Sequence, residues 1–86
     1  MKEGELVIIG NKYAEDYYYT SIVREVGQIV SGPHPTWSLD GQLIYYYSVS
    51  IDPTRPPWKV HEEDCIPAFS KSNEAFRVFL RPDILL

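Results

Sequence analysis

Every apolar run in this chain is cut short by a turn signal. ELVIIG ends at Gly10-Asn11, the run from Val26 to Val30 at Ser31-Gly32-Pro33, LIYYYSVSI at Asp52-Pro53, and AFRVFL at Arg81-Pro82. Proline lacks the amide donor that a helix interior or a central strand uses, and Gly-Asn, Gly-Pro and Asp-Pro pairs favour turns. Runs of about four to nine residues are short for helices in water and of ordinary length for strands. The chain is thereby restricted to short strands joined by turns.

Residues 5–10 read as a first strand. Residues 11–20, NKYAEDYYYT, mix turn formers with three tyrosines and are compatible with a long loop, an added strand or a short helix. A second strand near 26–31 surrounds Gly27, where glycine in a strand signals a bulge or sharp bend. Residues 33–42 read as loop, with Asp40-Gly41 a hairpin turn leading into the strand over 43–51. In that strand Leu43, Tyr45, Tyr47, Val49 and Ile51 share one face, and Ile44, Tyr46, Ser48 and Ser50 the other. Tyr45 and Tyr47 are therefore expected in the core, and Tyr46 at solvent or a partner.

Residues 52–57 hold three prolines and must be loop. Trp58 and Val60 point inward from a brief strand, Lys59 outward. HEEDCIP fits one helical or tight turn with its acids placed early, where the helix N-terminal partial charge favours them. Residues 75–80 alternate again, with Phe76, Val78 and Leu80 on one side. The expected fold is a single domain over 1–86, mainly β: a small five-stranded SH3-like antiparallel barrel with one short helical turn.

Eighty-six residues support one modest core, with a total stability of roughly 4 to 13 kcal/mol. The single Cys65 cannot form an internal disulfide and fits a reducing cytoplasm as a buried thiol. The N-terminus lacks the pattern of a signal peptide, and no stretch has the length of a membrane span. Net charge is −4, with both the 1–31 and 32–66 segments acidic. Such a surface repels a phosphate backbone and attracts a basic protein.

Catalytic chemistry has no recognisable carrier. No strained elbow frames a serine, and a small barrel leaves little room for a cleft between paired acids. His61, Glu62, Glu63 and Asp64 are ligand-capable, yet adjacent residues in a turn fan outward, so neither a metal nor another cofactor is expected. Read as a charged patch, they suit recognition instead. Aromatic residues make up 14% of the chain, which allows several to be contact residues rather than core. Tyr45, Tyr47, Trp58, Phe69 and Phe76 are the expected core aromatics. Tyr17, Tyr18, Trp37 and Tyr46 are the candidate partner anchors, because Tyr and Trp are the residues that most often anchor interfaces. Glu15, Asp16, Glu62, Glu63 and Asp64 are the candidate charged contacts.

The order of Gly27-Gln28-Ile29-Val30, YYYSVSI and WKVHEEDCIPA resembles a family of small immunity proteins of bacterial polymorphic toxin systems. Gly27, Tyr46, Tyr47, Val49, Trp58, Val60, Glu62, Glu63, Asp64, Arg77 and Val78 carry the likeness over roughly residues 26–82. The stretch around 13–19 is longer and more aromatic than the family pattern, and that between the acidic turn and the last strand is shorter. The resemblance implies a non-enzymatic, cytoplasmic protein that binds and neutralises a toxin domain with a basic surface. A barrel adaptor that binds a peptide or protein subunit is the competing expectation; a nucleic-acid-binding barrel is disfavoured by charge.

Overall fold

The structure, a computed structural model, describes residues 2–68. Apolar alternation and turn punctuation resolve into one sheet of five antiparallel strands: β1 Leu6–Ile9, β2 Val26–Trp37, β3 Leu43–Ser50, β4 Trp58–His61 and β5 Cys65–Pro67. Two 3₁₀ turns, Thr20–Ile22 and Glu62–Asp64, are the helical elements among the described residues. The segment 11–19 is a loop. The fifth strand differs from the expected one: Cys65–Pro67 pairs with β1, and the expected strand over 75–80 lies outside the described residues, as do Phe69 and Phe76.

Strand order is β4-β3-β2-β1-β5, so the last two strands lie at opposite edges of the sheet. Laid flat, five strands would separate those edges by roughly 19 Å. The chain from His61 to Cys65 reaches at most about 14 Å even when extended, and less as a 3₁₀ turn. The sheet must therefore curl until its edges approach at that end. Among the described residues no ladder joins β4 to β5; the edges are tied by the turn.

β2 runs six residues past the end expected for it, reaching Trp37 where loop was expected over 33–42. Register shifts between Ile29 and Ser31 and between Ser31 and His34 bend it without ending it. Gly32 permits the bend: its φ is +122°, and a Cβ there would lie 2.9 Å from Tyr47 Cδ1 and 3.0 Å from the Tyr46 carbonyl oxygen. β1 pairs with β2 from Val26 to Gln28, whereas His34 to Trp37 pair with β3. Among the described residues the far half of β2 is thus an edge, where Pro35 withholds no ladder hydrogen bond.

Gly27 is not a bulge. It is paired with Val7 and buried, and a Cβ on it would lie 2.4 Å from Val49 Cγ1 and 2.7 Å from Ile51 Cδ1. Glycine stands there because the Val49 and Ile51 side chains occupy the space. The core gathers Val7, Ile9, Ala14, Tyr19, Ile22, Ile29, Tyr47, Val49, Val60 and Cys65, with Trp58 and Ile51 half-buried against it. Tyr47 is 7% exposed, as its face requires, but Tyr45 on the same face is 37% exposed and Leu43 is 51%. The β2–β3 hairpin overhangs the other strands, so among the described residues its outer half has no sheet layer to pack on.

Candidate functional site

The acidic turn organises the site from beneath. His61 closes β4, and its Nδ1 accepts the Glu63 amide at 3.1 Å, capping the 3₁₀ turn. That turn carries Asp64 inward, where it is 1% exposed. Asp64 Oδ1 accepts the Lys12 amide at 2.9 Å, while Oδ2 accepts the Tyr13 amide at 2.9 Å and the Tyr19 hydroxyl. Its carbonyl accepts the Gly10 amide at 2.8 Å. Four donors from the 10–19 segment therefore converge on one residue, and a buried carboxylate is tolerable because each oxygen is hydrogen-bonded. Burial, reinforced by the Asp64 hydrogen bond, pushes the Tyr19 phenol far above its ordinary value and keeps it a donor.

Anchored in this way, the 11–19 loop stands beside β4. The Tyr13 ring stacks on the His61 imidazole, with centroids 3.9 Å apart and planes inclined by 19°. Tyr17 lies 6.3 Å from each of those rings. Outside them, Glu63 accepts from Lys12 Nζ at 2.8 Å and from the Tyr13 hydroxyl at 3.2 Å. The Lys12 hydrogen bond holds the Glu63 carboxyl below its usual range, and Glu63 in turn raises the Lys12 ammonium.

Opposite the loop rises the overhanging β2–β3 hairpin, turned by Ser38 to Gln42 with Gly41 at φ +85°. Between loop and hairpin lie two hollows. One, of about 270 Å³, is lined by Tyr17, Trp37, Tyr46, Lys59 and His61 over a floor of Pro35, Thr36 and Ile44. The other, of about 290 Å³, runs from Tyr13, Asp16 and Tyr17 to Ser38, Leu39, Asp40 and Gln42. Both are bounded by Tyr17, Ile44 and His61, so the two hollows adjoin as neighbouring parts of one grooved face.

Of the nine residues expected to contact a partner, the groove brings together four: Asp16, Tyr17, Trp37 and Tyr46. Trp37 is 70% exposed and Tyr46 is half-buried. Glu15, Glu62 and Glu63 are exposed outside it, and Tyr18 is 87% exposed, also outside it, with φ +64°. Asp64 is the correction. Its oxygens are consumed by the loop, and it has no surface to offer a partner.

Sequence reasoning missed Tyr13, Ile44 and Lys59 as groove residues, and placed His61 with the acidic turn rather than with the groove. Lys59 and His61 had one available signal, since they bracket an inward Val60 on a two-residue period and so share the face of β4 away from it. Tyr13 carried none, because its position depends on donors meeting a carboxylate fifty-one residues later. The thiol of Cys65 is 4% exposed and burial pushes its pKa up to about 12, so it is an unreactive part of the core. No protein-family model, curated protein or solved structure matches the chain.

Proposed function

We propose that this chain is a non-enzymatic protein-binding domain and that it acts as an immunity protein, seating a cognate toxin domain against the groove and masking it. The observation that carries this reading is the convergence of Tyr17, Trp37 and Tyr46, from a loop and two strands, on a single open groove. Aromatic anchors of this kind supply most of the binding energy in many interfaces. Glu15, Glu62 and Asp16 are exposed and form no ion pair among the described residues. With a net charge of −4 they favour encounter with a basic partner over a nucleic acid or an anionic membrane. A buried free cysteine suits a reducing cytoplasm. The curled sheet with its edges tied by a 3₁₀ turn supports the SH3-like barrel reading.

Co-expression with a toxin domain encoded beside this chain tests the proposal. Protection from growth arrest, together with a stable complex of the two purified proteins, is the expected result. Binding without protection would move the reading to an adaptor domain, which the peptide-sized groove also favours. The absence of both binding and protection would overturn it.

A further inference from the structure

The groove is electrically divided along its length. Among the described residues, the hollow beside β4 has Lys59 in its lining and no carboxylate, whereas the hollow beside the hairpin turn has Asp16 and Asp40 and neither Lys nor Arg. These charges are not spent internally. Among the described residues Lys59 has no carboxylate within ion-pairing distance, and its ammonium instead lies 5.4 Å over the Tyr46 ring. Asp16 has no ion-pair partner there either. Asp40 accepts from the Ser38 hydroxyl, which holds its carboxyl below the usual range and keeps it anionic.

A second observation lies where the hollows meet. His61 is 6% exposed and lines both of them. Its Nδ1 is committed to the Glu63 amide, so in the neutral ring the proton resides on Nε2. Among the described residues Nε2 has no hydrogen-bond partner, yet none of their fully enclosed side-chain polar atoms is left unsatisfied. This nitrogen therefore keeps some access to solvent, as a donor on a ring that lines both hollows. A cation in one hollow, acids in the other, and the His61 donor and apolar Ile44 shared between them complement a dipolar, extended chain. A polyanion would be repelled by Asp16 and Asp40, and a purely basic segment by Lys59.

We propose that the groove receives an extended segment of the protein partner in which an acidic and a basic side chain flank an apolar one. The carboxylate lies against Lys59 and His61, the Lys or Arg lies between Asp16 and Asp40, and the central side chain rests on Ile44. This rests on the protein-binding reading above and specifies the chemistry of its partner.

The test is an NMR titration of the ¹⁵N-labelled full chain with three capped tripeptides at millimolar concentration: Glu-Leu-Arg, Arg-Leu-Glu and Gln-Leu-Gln. One charged peptide is expected to bind at least about tenfold more tightly than the neutral one, a difference near 1.4 kcal/mol. Its shifts should centre on residues 16, 17, 44 and 61 and shrink with added salt. Lys59→Glu, and separately Asp16→Asn with Asp40→Asn, should each erase that preference while leaving the remaining spectrum in place. Equal binding of the neutral peptide, no shifts at those residues, or preference surviving both variants would overturn the proposal. So would phosphocholine binding the groove in preference to every peptide, which would assign the polarity to a lipid headgroup. The two readings fail separately. A protein partner held equally by wild type and both variants refutes the polarity alone; charge-selective peptide binding without a protein partner refutes the protein-binding reading alone.

Discussion

The Tyr19 hydroxyl donates to the Asp64 carboxylate across forty-five positions of sequence, and neither side chain reaches solvent. Around this bond the loop that forms one wall of the groove is fastened to the turn that ties the sheet edges together. Fold and site thus depend on the same carboxylate. Binding variants must be separated from folding variants before either is interpreted.

Asp64→Ala would strand two part-buried backbone amides and a buried phenol. At about 1 to 3 kcal/mol for each orphaned buried donor, partly relieved by water, the expected loss is about 3 to 5 kcal/mol. That is a large share of the stability a chain of this length holds. Tyr19→Phe should cost about 1 to 2 kcal/mol, and distinctly less in the Asp64→Ala background. Urea-unfolding midpoints of the four proteins in the cycle measure the coupling; additive losses would show that the bond contributes nothing of its own.

The tyrosine triplet in β3 should respond unevenly to truncation. Tyr47→Ala empties core space and is expected to cost about 3 to 5 kcal/mol, whereas Tyr45→Ala should stay within about 0.5 kcal/mol. Tyr45 shares the core face of Tyr47, but it stands where the hairpin has left the rest of the sheet behind. Thermal or urea denaturation of the two variants distinguishes position along the strand from position on its face. Equal losses would mean that the hairpin end is covered.

A similar division between local and distant information runs through the whole molecule. Turn pairs and two-residue alternation are local, so the antiparallel strands and the Asp40-Gly41 hairpin are legible in the residues themselves. Burial at Tyr45 is not, because it depends on how far neighbouring strands extend. Pro33 and Pro35 read as a stop for the same reason: whether a proline ends a strand depends on whether its missing amide faces a neighbour, and β1 has ended before that point. Within Glu62-Glu63-Asp64, three adjacent acids look alike. Only the phase of the 3₁₀ turn and four donors from the 10–19 segment single out Asp64 for the interior. Of the groove, the aromatic residues were foreseeable as a class; the placement of the loop tyrosines opposite the hairpin was set by that distant carboxylate.

Glycine substitutions separate crowding from backbone strain. Gly27→Ala puts a methyl group 2.4 Å from Val49 Cγ1 and should cost about 1 to 3 kcal/mol through overpacking. Gly41→Ala meets nothing within 4 Å, yet its φ of +85° imposes a penalty of about 1 kcal/mol. Gly41→Asn should recover part of that loss, since Asn tolerates the left-handed region, whereas Gly27→Asn should be worse than Gly27→Ala. Chemical denaturation of the four variants is sufficient, and recovery at position 27 would contradict the crowding.

Groove and loop tyrosines should diverge in binding. Tyr17→Ala and Tyr46→Ala remove walls of the groove and are expected to weaken capture of the partner by at least about tenfold. Tyr18→Ala deletes a more exposed ring that lies outside the groove and should leave affinity unchanged. Isothermal titration against the purified partner reads all three. A loss at Tyr18 with none at Tyr17 would move the contact surface to the outer side of the loop.

Alkaline pH should destabilise the fold through two buried acids. Cys65 ionises near 9.0 when solvated and near 12 in the folded chain, and Tyr19 is likewise raised from 10.0, in both cases chiefly by burial. Between the unfolded and folded values the native state holds more protons than the unfolded state, so unfolding is favoured as pH rises. The stabilising contribution is complete below about pH 9 and is lost as pH climbs toward the folded values, at about 1.4 kcal/mol per pH unit for each group. Cys65→Ala should flatten the first part of that fall and Tyr19→Phe the part above pH 10. Urea midpoints from neutral to alkaline pH give the slopes, and thiol labelling provides an independent check. Modification should be limited by opening of the fold, accelerating with urea; rapid labelling of the native chain would place the sulfur at the surface and remove the basis for the first slope.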